Sequence, residues 1–434
     1  MDLASTTALL TDHYELTMLQ AALRSGTASR RAVFEVFARQ LPHGRRYGVV
    51  AGIGRLLDAL ESYVFDDAAL EFLRDHVVDD ATADWLAGYR FSGDIHGYAE
   101  GDCYFPGSPI LRVEGTFAEA VVLETLVLSI LNHDSAIASA ASRMAHAAGD
   151  RPMIEMGSRR THEMAAVASA RAAYIAGFAT TSNLEAGRRY GVPTAGTSAH
   201  AFTLLHDSER RAFEAQIASG GPGTTLLVDT FEVERAVRTG VELAGPELGA
   251  VRIDSGDLAA AAHDVRRLLD SLDARKTRIV VTGDLDEYLI AALAVAPIDG
   301  YGVGTALVTG SGAPTASLVY KLVARADSPD PDAPLRPVAK RSIGKPSRGG
   351  RKWAVRRVDG DGVARAEVVT TGAPAPGPYD RELLVPLVRG GATVGREALD
   401  EARARHRRAL QELPGTARQL SRGDPAIPTE FITA

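Results

Sequence analysis

The stretch AVRIDSGDLAAAAHDVRRLLDSLDARKTRIVVTGD, residues 250–284, carries the pattern that decides the fold. A short apolar run ends in Asp254-Ser255-Gly256-Asp257, and an Ala- and Leu-rich run with helical spacing follows. A second apolar run, from Arg278, then ends in Thr282-Gly283-Asp284. Strand, turn, helix and strand in this order form the unit of a parallel sheet. The rhythm extends to both sides: PMIEMGSR ends at Arg159, GFATTSN at Asn183, PTAGTSAH at His200, TTLLVDT at Thr230 and DGYGVGT at Thr305. Successive ends, with those at Asp257 and Asp284, lie 24, 17, 30, 27, 27 and 21 residues apart, which suits a strand, a helix and two short loops. The pattern predicts an α/β protein with a closed or nearly closed parallel (β/α) barrel of about seven strands. An open doubly wound sheet is the rival.

A barrel places its chemistry at the C-terminal ends of its strands. Those ends carry Arg159, Ser182, His200, Asp229, Arg252, Asp254, Asp257, Asp284, Gly304 and Thr305. Each has a plain structural reading as a helix cap, a turn former or half of an ion pair. Together they make a rim of alternating cations and anions, suited to a substrate with phosphates and sugar hydroxyls.

The flanks read differently. RRAVFEVFAR (30–39) and GDIHGYAEGDCYFPGSPILRVEG (93–115) alternate like half-buried antiparallel strands. Residues 117–149 read as a long helical bridge. The expected organisation is a separate N-terminal unit at 1–120, the barrel at 121–325, and a basic flap with a C-terminal segment at 326–434. The flap is RPVAKRSIGKPSRGGRKWAVRR (336–357), with nine Lys or Arg and no acidic residue. Composition leaves it open between a solvated loop, a cover for a polyanionic small molecule and a nucleic-acid patch.

The chain of 434 residues has a formal charge of −7, which gives no reason to expect a nucleic-acid partner. Its single cysteine, Cys103, excludes an intrachain disulfide and a thiolate metal cluster and suits a reducing, cytoplasmic setting. The N-terminus does not read as a signal peptide, and no run of the sequence reads as a membrane span. No Walker A loop, H-E-x-x-H or G-x-S-x-G pattern occurs. GVGTAL (302–307) lacks the third glycine of a dinucleotide fingerprint, yet offers a strand-to-helix turn able to cradle a phosphate. HVVDDATADW (76–85) reads as structural.

Four strings in order, TDHYELTM (11–18), GTSAHAF (196–202), VRIDSGDL (251–258) and YGVGTALVTG (301–310), with VYKLV (319–323) and the basic stretch after them, resemble the nicotinate phosphoribosyltransferase family. The resemblance spans roughly residues 9–386 and implies an irregular parallel (β/α) barrel beside an N-terminal α/β open-faced sandwich domain, with the C-terminal segment packing back onto that domain. It implies condensation of nicotinate with phosphoribosyl pyrophosphate, coupled to ATP hydrolysis, in a Mg²⁺-assisted reaction. It also implies a homodimer with active sites shared between subunits. By the same resemblance His200 is the residue transiently phosphorylated, and Gly304 and Thr305 hold the 5′-phosphate. Arg252, Thr197 and Tyr14 place nicotinate, Tyr14 from the partner subunit. Asp254 and Asp257 suit ribose hydroxyls or a metal-bound water, and no residue is assigned as a direct metal ligand. Arg159, Ser182, Gly283, Lys340 and Lys345 complete the expected binding set. One departure stands out: Met156 occupies a position where relatives commonly carry an aromatic residue. The alternatives are nicotinamide or quinolinate phosphoribosyltransferase, or a non-catalytic nucleotide-binding relative.

Overall fold

The computed structural model describes residues 6–340, 347–374 and 376–432. They form two compact units, one of residues 1–136 with 315–434, the other of residues 137–314. These divisions fall elsewhere than the expected 120 and 325. The first lies within the helix Glu124–Ala148. The second precedes the strand Leu318–Ala326, which the expected bound at 325 grouped with the barrel but which pairs antiparallel with Arg31–Ala38.

The discontinuous unit is built on a seven-stranded sheet. Within it Arg31–Ala38 lies between Leu318–Ala326 and Leu111–Thr116, with Asp94–Gly97 and Val385–Arg389 beyond the latter. The C-terminal segment thus supplies strands to the sheet that the N-terminal residues begin. Phe34 stacks on Tyr320 with ring centroids 4.9 Å apart, joining the two parts through apolar burial. Helix Phe117–Val121 opens with a capping box between Thr116 and Glu119. The helical stretch 117–148 is long and apolar enough by composition to cross a bilayer, and 67% of its most apolar window is buried in the protein. Along the chain Glu124, His133 and Asp134 interrupt the apolar run, so it does not read as a span. In HVVDDATADW, Asp79 caps a helix by accepting from the Thr82 N–H and pairs with Arg24.

The basic stretch is largely neutralised inside this unit. Arg336 pairs with Asp327, Arg351 with Glu114, Lys352 with Glu35, Arg356 with Glu367 and Arg357 with Glu430. Arg348 lies over the Phe431 ring, its guanidinium 3.9 Å from the centroid. Trp353–Val358 is a strand of a four-stranded sheet, so the expected flap narrows to the segment before it. The run looked cationic because its carboxylate partners come from strands far away in sequence. Lys340 is exposed, whereas Lys345 lies outside the described residues.

The continuous unit holds six parallel strands in the order Thr180–Thr181, Met153–Glu155, Gly300–Val303, Arg278–Gly283, Ala250–Ile253 and Thr225–Leu227. This is barrel order: the chain's first strand in the unit, Met153–Glu155, pairs with its last, Gly300–Val303. The expected seventh strand, PTAGTSAH, is reduced to a single bridge, Thr181 to Thr194. Pro193 lacks a donor N–H, and Ala195-Gly196-Thr197-Ser198 has no large apolar side chain to bury, so a strand gains little there. Among the described residues the sheet is therefore open between Thr194 and Thr225–Leu227. His200 begins the helix His200–Leu205 in that interval.

Arg356 and Glu367 are both fully buried, and Arg356 also donates to the Cys103 carbonyl at 2.8 Å. Changing Arg356 to Met leaves the Glu367 carboxylate buried without its cation and is expected to cost about 3–5 kcal/mol of stability. Chemical denaturation with an unchanged midpoint would show that the pair is dispensable.

Candidate active site

A cavity of about 270 Å³ lies at the C-terminal ends of four neighbouring strands of the continuous unit. The strand Met153–Glu155 leads to Met156, Arg159 and Arg160, while Ala250–Ile253 supplies Arg252 and leads to Asp254. Thr282, Gly283 and Asp284 come from the end of Arg278–Gly283; Gly302, Gly304 and Thr305 come from Gly300–Val303 and its turn. Side chains two apart on a strand share a face, so Arg252 with Asp254, and Thr282 with Asp284, point the same way. That parity is the sequence signal that would have added Thr282 and Gly302 to the expected residues. Arg160 had only its place beside Arg159.

Hydrogen bonds fix the cationic wall. Arg252 has 11% of its side chain exposed; it donates to Thr197 Oγ1 at 2.5 Å and lies 3.9 Å from Asp254 Oδ1. Burial draws its guanidinium below the ordinary value, and Asp254 and Asp229 oppose that shift. Its Nε is buried without a hydrogen-bond partner. Asp254 accepts from the Thr282 hydroxyl. The Asp254 N–H and the Ser255 hydroxyl both donate to Asp229 Oδ2, at 2.9 and 2.7 Å.

Asp229 links this wall to His200. Its side chain is 4% exposed, and its second oxygen, Oδ1, is buried without a hydrogen-bond partner, 3.9 Å from His200 Nε2. On the other side of the ring, His200 Nδ1 lies 3.0 Å from Thr230 Oγ1. The imidazole is therefore held at Nδ1 and remains 42% exposed. Asp229 is legible in the sequence as a rim residue, but its contact with His200 is not.

Close packing shapes the cavity. A methyl on Gly302 would come within 2.5 Å of both Met156 Sδ and the Thr282 methyl. Gly283 has φ +134°, a conformation that side chains rarely adopt, and brings its backbone near the Asp254 carbonyl. Gly304 starts the short helix Thr305–Val308.

The other expected residues lie elsewhere. Asp257 is exposed and caps helix Leu258–Ser271 by accepting from the Ala260 N–H at 3.0 Å. Ser182, half-buried, follows the strand Thr180–Thr181. Tyr14 belongs to the discontinuous unit, on the helix His13–Arg24, with 45% of its surface exposed. Neither Asp257 nor Ser182 lines the cavity.

A parallel sheet in barrel order, with arginines, aspartates and a glycine-rich turn gathered at its C-terminal strand ends, defines an α/β enzyme with an anion-binding site. The family model for the nicotinate phosphoribosyltransferase (NAPRTase) N-terminal domain matches residues 9–132. The Mycobacterium tuberculosis protein named nicotinate phosphoribosyltransferase pncB1 is 58% identical over 98% of this chain and 95% of its own length. The nicotinate phosphoribosyltransferase of Bacillus subtilis is 37% identical, over 73% and 66% of the two chains. The crystal structure of human nicotinic acid phosphoribosyltransferase superposes with a TM-score of 0.83 at 25% identity, covering 98% of this chain and 97% of its own. The chain belongs to the nicotinate phosphoribosyltransferase family.

Gly302→Ala tests the packing of the cavity wall. Overpacking between Met156 and Thr282 is expected to lower stability by about 1–3 kcal/mol. A thermal melt identical to the parent's would mean that the wall yields to the added methyl.

Proposed function

We propose that the chain transfers the phosphoribosyl group of phosphoribosyl pyrophosphate to nicotinate, giving nicotinate mononucleotide and pyrophosphate in NAD salvage, with ATP hydrolysis coupled through a phosphohistidine at His200. The observation that carries the reading is the convergence of Arg159, Arg252, Asp254, Gly283, Gly304 and Thr305 on one cavity. These residues were expected from separate motifs. The names of the relatives support the same activity.

The chemistry follows from the side chains. Arg252, oriented by Thr197, receives the nicotinate carboxylate, and Met156 packs against the ring. The N–H groups of the Gly304-Thr305 turn bind the 5′-phosphate, with Arg159 or Arg160 adding positive charge. As the nicotinate nitrogen forms its bond to ribose C1, the bond from C1 to pyrophosphate breaks and the ribose gains oxocarbenium character. Asp254 faces the ribose hydroxyls. Two hard carboxylates, Asp254 and Asp284, line the cavity, and no cluster of three or more metal-ligating side chains occurs among the described residues. Such a donor set suits Mg²⁺ held mainly by substrate phosphates, with Asp254 and Asp284 beside it. Bound there, Mg²⁺ would neutralise charge on the departing pyrophosphate.

His200 performs the ATP step. With its proton on Nδ1, shared with Thr230, the ring offers the Nε2 lone pair to the γ-phosphorus of ATP. The Nε2–P bond forms, the bond to the β-phosphate oxygen breaks, and ADP leaves. Asp229 stabilises the positive charge that develops on the ring, and water later releases phosphate. Tyr14 would reach the nicotinate ring from a second subunit of a homodimer. The exposed apolar group of Leu9, Leu10, Tyr14 and Met18 supports such pairing. The enzyme would act in the cytoplasm on small molecules, without nucleic acid or membrane.

Incubating the protein with phosphoribosyl pyrophosphate, Mg²⁺ and nicotinate, nicotinamide or quinolinate, with and without ATP, tests the reading. Nicotinate mononucleotide is expected, in larger yield with ATP. Product from nicotinamide but not nicotinate would overturn the substrate. His200→Ala is expected to abolish ATP stimulation and retain slow ATP-independent transfer; intact stimulation would remove His200 from its role. Arg252→Ala is expected to raise the nicotinate KM about ten- to a hundredfold, as loss of a charged hydrogen bond does.

A further inference from the structure

Glu155 is a fully buried carboxylate, and no cation pairs with it among the described residues. Two donors meet it instead. The Gly157 N–H donates to Oε1 at 2.5 Å, and the Thr181 hydroxyl donates to Oε2. Burial raises the carboxyl group's pKa, and the Thr181 hydroxyl and Gly157 N–H oppose that shift; losing either donor leaves a buried oxygen unsatisfied. The chain of bonds continues outward. Thr181 Oγ1 accepts from the Asn183 N–H at 2.9 Å, and Asn183 Nδ2 donates to Ser158 Oγ at 3.0 Å.

These contacts lie where the sheet stops. The ladder between the two strands ends at Glu155 and Thr181, and beyond it the Ser182 N–H still reaches the Glu155 carbonyl at 2.8 Å. Past that point the side-chain relay ties the turn at 157–160 to the turn at 181–183. The first turn carries Arg159 and Arg160 into the cavity. A cationic side chain binds an anion well only if its backbone is held, since a displacement of about 1 Å is enough to lose the alignment.

We propose that Glu155, Thr181, Asn183 and Ser158 form a positioning relay that sets substrate affinity by fixing the turn that bears Arg159. The relay touches no substrate and takes no part in bond making. This proposal rests on the reading of the cavity as the substrate site.

Steady-state kinetics of Thr181→Val, Ser158→Ala and Arg159→Ala test it, because none of these changes removes the buried carboxylate itself. Arg159→Ala is expected to raise the KM of nicotinate or of phosphoribosyl pyrophosphate. Thr181→Val and Ser158→Ala are expected to raise that same KM about three- to tenfold, the range for loss of one hydrogen bond, with kcat within about twofold. Thr181→Ser is expected to restore the parent value. Ser158→Ala should add nothing in the Arg159→Ala background. If Arg159→Ala raises a KM but the relay variants do not, the positioning role is wrong and the site stands. If Arg159→Ala changes neither KM, the reading of the cavity fails first. A fall in kcat together with melting temperature, at unchanged KM, would reduce the relay to a structural one.

Discussion

The parallel pairing of Met153–Glu155 with Gly300–Val303 is the constraint from which the site follows. It sets Met153, Ile154 and Glu155 against Tyr301, Gly302 and Val303, residues nearly 150 positions away. Closing so long a loop costs conformational entropy, though the cost grows only slowly with length. The return comes from burying Met153, Tyr301 and Val303 and from a continuous ladder on to Arg278–Gly283 and Ala250–Ile253. Once that pairing exists, the turns that follow four strands must share one end of the sheet. Arg159 then faces the same space as Arg252, Asp254 and Thr305.

The opening of the sheet between Thr194 and Thr225–Leu227 complements this constraint. A complete strand there would satisfy its backbone in a ladder. The segment instead turns into the helix that begins at His200, and its imidazole rests between Thr230 and Asp229. Asp229 then binds the backbone after Arg252 through its other oxygen. One buried carboxylate thus connects the residue proposed to carry a phosphoryl group with the wall proposed to hold nicotinate. Irregularity in the barrel and chemistry at its rim thus meet at His200, which begins a helix where a strand was expected.

The basic stretch shows how charge in sequence and charge in structure diverge. A run of nine cations without an acid suggests a field aimed at a ligand. Five of them meet carboxylates from other segments, including the fully buried Arg356–Glu367 pair. Buried ion pairs contribute little net stability, but they tolerate few partners, and so can tie strand Trp353–Val358 to one register.

Most of the barrel was legible because strand and helix periodicity are local properties. Apolar runs capped by Asp, Ser or Gly and followed by amphipathic helices can be read without knowing any partner. The rim residues were legible for the same reason, as ends of such runs, and the family motifs gave most of them an expected role, though not Asp229 or Asp284. That Asp257 stays out of the cavity and that the flap is neutralised were not legible. Each depends on which distant groups arrive to line a cavity or meet a charge. By itself the sequence determined a parallel α/β unit, its rim and its family. Only the tertiary structure decided that residues 318–326 pair with the strand Arg31–Ala38 of the chain's early sheet, that Asp229 faces His200, and that Glu155 ties two rim turns together. The physical reason is common to all three: hydrogen bonds and ion pairs are satisfied in space, between residues whose separation along the chain carries no signal.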